Sequence, residues 1–185
     1  MIVEETSIPD LLVIVPARHG DSRGFFSESW NSRTMAEAGI DIPFVQDNHS
    51  MSETAGTLRG LHFQSPPHAQ AKLVRCGRGS LLDAVVDVRR GSPSFGKSHT
   101  EVLSYENGRQ LLVPEGFLHG FLTLEPMTEI VYKCSDFYNF EADGAVHWES
   151  CGIDWGLKSA PLQSPKDAKA QPLSEFDSPF EWVAK

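Results

Sequence analysis

The sequence predicts an all-β fold, a jelly-roll β-sandwich with short peripheral helices mainly at the C-terminus. Three observations carry that reading. Short apolar or alternating runs recur along the chain, turn residues separate them at close spacing, and only one early segment has helical character. Leu11–Val15 opens the series as a compact strand-like run. Ser32 to Ala38 reads as a short helix, with Asn31 or Ser32 as its cap. A strand then ends at Phe63, and Ser65-Pro66-Pro67 turns the chain towards a strand over Lys72–Cys76. Gly77-Arg78-Gly79 separates that run from Ser80–Val88, and Gly91-Ser92-Pro93 follows. Thr100–Ser104 and Gln110–Val113 flank Asn107-Gly108, the strongest hairpin signal, because both residues tolerate the positive φ of a type I′ turn. Pro114-Glu115-Gly116 precedes the last two runs, Phe121–Leu124 and Glu129–Tyr132. After Asp154 the pattern gives way to a polar, Pro-containing tail, read as a short helix or two wrapped on the body.

The chain has 185 residues, which fits a single domain over 1–185. Folding a chain of this mass buries about 70% of its extended surface, enough for a sizeable core. Hydrophobic residues at 40% and charged residues at 22% exclude a disordered or collagen-like chain. The longest apolar run, Leu11 to Val15, is far too short to span a membrane. The opening MIVEETSIPD carries acids and no basic region, unlike a secretory signal. Three cysteines, Cys76, Cys134 and Cys151, show no paired spacing, so the expected setting is a reducing cytoplasm. Net charge −9 argues against nucleic acid as a partner. A small anionic ligand stays compatible with that charge if a few Arg and Lys side chains converge.

The richest stretch for chemistry is TLRGLHFQ (57–64), followed by Lys72. A hairpin at Ser65-Pro66-Pro67 would set the Lys72 strand beside the His62 strand, bringing a base and a cationic oxyanion stabiliser to one cavity. Strict alternation would place Arg59 and His62 on opposite faces, unless Gly60 marks a bulge. The plain alternative is an ordinary core histidine and a surface lysine. A second stretch, PEGFLHGF (114–121), carries His119 just after a turn.

GLHFQ and PEGFLHGF together resemble the two signature blocks of the cupin superfamily, a jelly-roll fold. Metal-binding cupins offer H-x-H and a carboxylate from the first block and a further histidine from the second. Here the H-x-H position reads His62-Phe63-Gln64, and Lys72 stands close to the carboxylate position. A cation beside one imidazole is a poor metal site, so neither a metal nor another cofactor is expected. Six blocks narrow the resemblance: DSRGFFSESW (21–30), FVQDNHS (44–50), TLRGLHFQSPPHAQAKLVRC (57–76), DVRRGSPSFG (87–96), PEGFLHGF (114–121) and VYKCSDFYNFEADGAVHW (131–148). In this order they look like the dTDP-4-dehydrorhamnose 3,5-epimerase family of metal-independent cupins, over roughly residues 1 to 172.

That resemblance implies inversion at C3 and C5 of dTDP-4-dehydro-6-deoxy-D-glucose through an enolate. On the matched positions His62 is the base and Asp167, in Ser164-Pro165-Lys166-Asp167, orients it. Tyr132 supplies the proton on the opposite face, and Lys72 holds the enolate oxygen. Arg23 and Arg59 match the diphosphate contacts, with Gln46 and Asn48 as polar contacts. Glu28, His119, Asp143 and Lys166 match ligand-contacting positions, and Tyr138 matches the aromatic that stacks on thymine. The family likeness also implies a homodimer in which Arg23 and Glu28 reach the neighbouring subunit's site. Three departures fall in what reads as one loop: Asp143 where the family usually has Glu, Ala145 for a usual Gly, and His147-Trp148-Glu149-Ser150 at its end. The rival readings are a mono-epimerase acting at C3 or C5 only, and a non-catalytic cupin that binds a sugar nucleotide.

Overall fold

The computed structural model describes residues 1–184. Thirteen strands follow one another: β1 (Ile2–Glu5), β2 (Leu12–Val15), β3 (His19–Asp21), β4 (Gly24–Phe26), β5 (Gln46–Ser52), β6 (Leu58–Gln64), β7 (Lys72–Arg78), β8 (Ser80–Asp87), β9 (Ser98–Ser104), β10 (Gln110–Val113), β11 (Phe117–Thr123), β12 (Thr128–Cys134) and β13 (Asp143–Ala145). Two short helices, α1 (Ser32–Glu37) and α2 (Pro165–Ala168), complete the regular structure with 3-10 turns at Trp148–Cys151 and Leu173–Glu175. A six-stranded sheet runs β1-β2-β10-β7-β12-β5, a five-stranded sheet runs β13-β6-β11-β8-β9, and β3 with β4 forms a separate hairpin. The paired strands within these sheets are antiparallel. The two sheets make the expected sandwich.

Three apolar layers hold it. Between the sheets, Val13, Val74, Leu111 and Ile130 of one meet Leu81, Val85, Leu103 and Phe121 of the other. On the outer face of the five-stranded sheet, Leu58, Leu61, Val86 and Leu118 pack against Trp155 and Phe180 of the C-terminal tail. On the outer face of the six-stranded sheet, Ile14, Leu73 and Leu112 are covered by Met35 and Ile40. Covering both faces explains why β11 is buried at all seven positions while the edge strand β5 alternates. Asn31 caps α1 by accepting hydrogen bonds from the Arg33 and Thr34 amides at 3.0 and 3.4 Å.

Four expectations need correction. His62 on β6 and Lys72 on β7 lie in opposing sheets, because Ser65-Pro66-Pro67 carries the chain across the sandwich instead of closing a hairpin. Asn107-Gly108 is a turn, with Gly108 at φ 61°, yet it joins β9 and β10 of different sheets. There the Asn107 side chain bonds the Ser104 and Arg109 amides and the Val102 carbonyl, so local side-chain bonding replaces ladder pairing. The segment 143–150 is not one loop: Asp143–Ala145 pairs with Gln64–His62, and a 3-10 turn follows. Phe121–Leu124 marked only the end of β11, since a strand buried on both faces shows no alternation to read.

Candidate active site

The open edge of the sandwich, where β5 and the β6–β13 pair face each other, holds a cavity of about 450 Å³. Period-two geometry loads its two walls. From the six-stranded sheet come Gln46 and Asn48 on β5, Tyr132 on β12 and Lys72 on β7; in register Tyr132 lies beside Asn48, and Cys134 between Gln46 and Lys72. From the five-stranded sheet come Arg59, His62 and Gln64 on β6 and Asp143 on β13. Leu162, Gln163, Ser164, Lys166 and Asp167 close a third wall.

Arg59 and His62 line the same cavity because β6 bulges between them. His119 pairs with His62 and Phe121 with Arg59, so three steps on β6 oppose two on β11. Gly60 sits at φ 121°, and a Cβ there would lie 2.7 Å from the Gly120 Cα. Only glycine lets the two backbones approach this closely. The bulge also aims the Gly60 amide at Asp167 Oδ2, 3.3 Å away.

Asp167 is 2% exposed, and its Oδ1 lies 2.7 Å from His62 Nε2. Ser164 caps the short helix by accepting from the Asp167 amide at 3.1 Å, and Pro165 takes the first helical position. Burial alone would raise the Asp167 carboxyl. The hydrogen bond and charge of His62, with the Gly60 and Ser164 contacts, outweigh it and hold the carboxyl below its ordinary value. With Nε2 turned to the carboxylate, Nδ1 is the nitrogen left to exchange a proton.

Across the cavity, burial raises the Tyr132 phenol above its ordinary value, opposed by Asn48 and the Arg59 charge. The hydroxyl therefore stays protonated at neutral pH and can act as a donor. The Lys72 ammonium makes no hydrogen bond or ion pair with another described residue, and its Nζ lies 6.0 Å from the Tyr132 ring centre. Burial depresses its ammonium, partly offset by Cys134, Asp83 and Asp143. An unpaired cation in a partly dry cleft is well placed to meet negative charge.

The mouth is built by amides. Gln64, 5% exposed, donates to the His68 and Phe137 carbonyls at 2.7 and 3.2 Å and accepts from the Asn139 amide at 2.8 Å. Gln46 accepts from the Tyr138 amide at 3.0 Å. Together they pin the segment that presents Tyr138, whose hydroxyl reaches Asp143 Oδ2 at 3.2 Å; Lys166 pairs with the same carboxylate. At the H-x-H position, Gln64 thus knits the mouth together. Among the described residues no group of three or more His, Cys, Asp or Glu side chains could hold a metal ion.

His62, Asp167, Tyr132, Lys72, Arg59, Gln46, Asn48, Tyr138, Asp143 and Lys166 all line this cavity. Three predicted site residues do not. His119 lies behind the wall at 6% exposure, 3.0 Å from Asp83. Arg23 extends from the β3–β4 hairpin into solvent, paired with Asp21, and Glu28 bonds Asn31 and Thr34. Thr57, Gln70 and Gln163 also line the cavity; as one hydroxyl and two amides at no recognisable spacing, they gave no site signal of their own.

Fold and cavity define a class: a jelly-roll sandwich whose cleft holds a carboxylate-oriented imidazole, a phenol on the facing wall and a free ammonium. The family model for dTDP-4-dehydrorhamnose 3,5-epimerase matches residues 5–175. A Salmonella typhimurium dTDP-4-dehydrorhamnose 3,5-epimerase is 48% identical over 178 residues, 95% of this chain and 97% of that protein. The Legionella pneumophila dTDP-6-deoxy-D-glucose-3,5-epimerase, solved in complex with dTDP-4-keto-L-rhamnose, superposes with TM-score 0.94 at 42% identity, covering 98% of this chain and 99% of that one. The Bacillus anthracis dTDP-4-dehydrorhamnose 3,5-epimerase, solved with TDP and pyrophosphate bound, gives TM-score 0.90 at 43% identity over 93% and 99% of the two chains. The chain belongs to the dTDP-4-dehydrorhamnose 3,5-epimerase family.

Proposed function

We propose that this chain, as one catalytic domain, converts dTDP-4-dehydro-6-deoxy-D-glucose into dTDP-4-dehydro-L-rhamnose by inverting C3 and C5. The observation that carries the reading is the placement of His62 and Tyr132 on opposing sheets around one cavity. A sugar ring lying between the walls has a base on one face and an acid on the other. His62 Nδ1 takes the proton from the carbon beside the ketone, and Asp167 stabilises the imidazolium that forms. The electron pair moves onto the ketone oxygen, where Lys72 balances the enolate charge. Tyr132 then protonates the carbon from the far side. Arg59 is anchored to Ser52 and the Met51 carbonyl, and with Lys166 supplies positive charge for the diphosphate. Tyr138, 57% exposed at the mouth, offers its ring face to thymine.

The working unit is a homodimer in this reading. Arg23 and Glu28 lie outside their own chain's cavity, and Phe25 and Phe26 on the Arg23 hairpin are 43% and 70% exposed. A partner chain would cover those rings and receive the charged side chains. No helix of the described residues is long and apolar enough to cross a membrane.

Proton NMR of the reaction in D₂O tests the function. Deuterium is expected at both C3 and C5, with a rate unchanged by EDTA. Exchange at one carbon alone would make the protein a mono-epimerase, binding without exchange would make it a non-catalytic sugar-nucleotide binder, and chelator sensitivity would bring a metal back.

A further inference from the structure

Gln163 stands on the cavity wall with its amide orientation decided by a neighbour. Trp148 Nε1 lies 3.1 Å from Gln163 Oε1. An indole N–H can only donate, so the amide oxygen must be the atom that faces it. The Gln163 Nε2 group, with two N–H donors, then has no hydrogen-bond partner among the described residues. Trp148 is itself held in the apolar layer beneath, edge-on to Trp155 with ring centres 6.5 Å apart. Gln163 also directly precedes Ser164, whose hydroxyl caps the turn carrying Asp167. A donor placed there sits on the same short wall as the carboxylate that orients the base.

We propose that Gln163 is a sugar-binding residue, its Nε2 donating to a hydroxyl oxygen of the hexose, and that Trp148 is the positioning residue that presents this nitrogen. The hexose is chosen over the nucleotide because the wall of Gln163 adjoins the His62–Asp167 pair, where C3 and C5 must lie, whereas Tyr138 marks the mouth. The inference rests on the dTDP-sugar reading above.

Calorimetric titration with two probes, dTDP and dTDP-glucose, tests it on the full-length wild type, Gln163→Met, Trp148→Phe and the double variant. Gln163→Met keeps the length of the side chain and removes its polar atoms. Its affinity for dTDP-glucose is expected to fall about fivefold, the usual worth of one neutral hydrogen bond, with that for dTDP unchanged. Trp148→Phe should weaken dTDP-glucose alone by about twofold to fivefold, because the amide is then free to turn its oxygen inward. Added to Gln163→Met, it should change nothing further. A merely structural role would instead weaken both probes or give additive losses, and either result overturns the proposal. Unchanged dTDP-glucose affinity in Gln163→Met also overturns it. Failure of the wild type to bind either probe would sink the dTDP-sugar reading itself, and this inference with it, which separates the two failures. Thermal melting confirms that each variant is folded before titration.

Discussion

Asp167 does two things at once, and they can be measured separately. Its carboxylate is 2% exposed, accepts the Gly60 amide and faces His62. Its folded pKa lies below the unfolded value of about 3.9, so its stabilisation is present above that value and is lost as pH falls through the folded one. Asp167→Asn should therefore flatten the dependence of the melting temperature on pH below about pH 4. The same variant should lose roughly 100- to 10,000-fold in turnover, because the amide cannot stabilise an imidazolium. A variant whose melting curve falls with acid as steeply as wild type would place the stabilising charge elsewhere. Tyr132→Phe makes a second separation. The ring stays packed against the inter-sheet core, so stability should change by only about 1 kcal/mol. Without the hydroxyl, His62 can still remove a proton and return deuterium to the original face. NMR should show exchange without full inversion; wild-type epimerisation would make the hydroxyl a bystander.

At the scale of elements, the site depends on how closely strands approach. Gly144 on β13 lies opposite Phe63 on β6, and a Cβ there would come within 2.3 Å of the Phe63 ring tip. That ring cannot swing freely, because Phe176 and Phe180 pack on it at centroid distances of 5.0 and 6.1 Å. Gly144→Ala should lift β13 and with it Asp143, the carboxylate shared by Tyr138 and Lys166. The expected result is destabilisation of about 1–3 kcal/mol and a KM raised more than kcat is lowered. A wild-type melt and wild-type KM would show that Phe63 gives way. The same elements show what a reader of the sequence can reach. Lys72–Cys76 and Gln110–Val113 were legible because their apolar runs end at strong turn residues. β5 was not, since QDNHSMS is polar on both faces and pairs only because Cys134 to Thr128 lies beside it. β13 is three residues long and has no pattern at all. Asp167 was legible only through a family likeness: 105 residues separate it from His62, and no local periodicity links a capped turn to a strand so far away.

For the whole molecule, the distribution of charge bears on the cavity. The chain carries net charge −9, yet Arg59, Lys72 and Lys166 line one cleft. Screening confines the field of the acidic exterior to short range, so the cations inside the cleft can still attract an anionic ligand. Two further charged groups implied by the family likeness, Arg23 and Glu28, stay outside that cleft in their own chain. A homodimer that lends them across its interface makes a quantitative prediction. His62→Ala alone removes the base, and Arg23→Ala alone removes the lent cation, so each variant should be nearly inactive. In a mixed dimer, the subunit keeping His62 receives an intact Arg23 from its partner, and one of two sites is restored. Random pairing of equal amounts makes half the dimers mixed, so co-refolding should recover about a quarter of wild-type activity. If Arg23 served its own chain, every site in the mixture would lack either the base or the cation, and no activity would return. Co-refolding the two variants at equal concentration, with light scattering to confirm the dimer and epimerisation as the readout, decides between the arrangements.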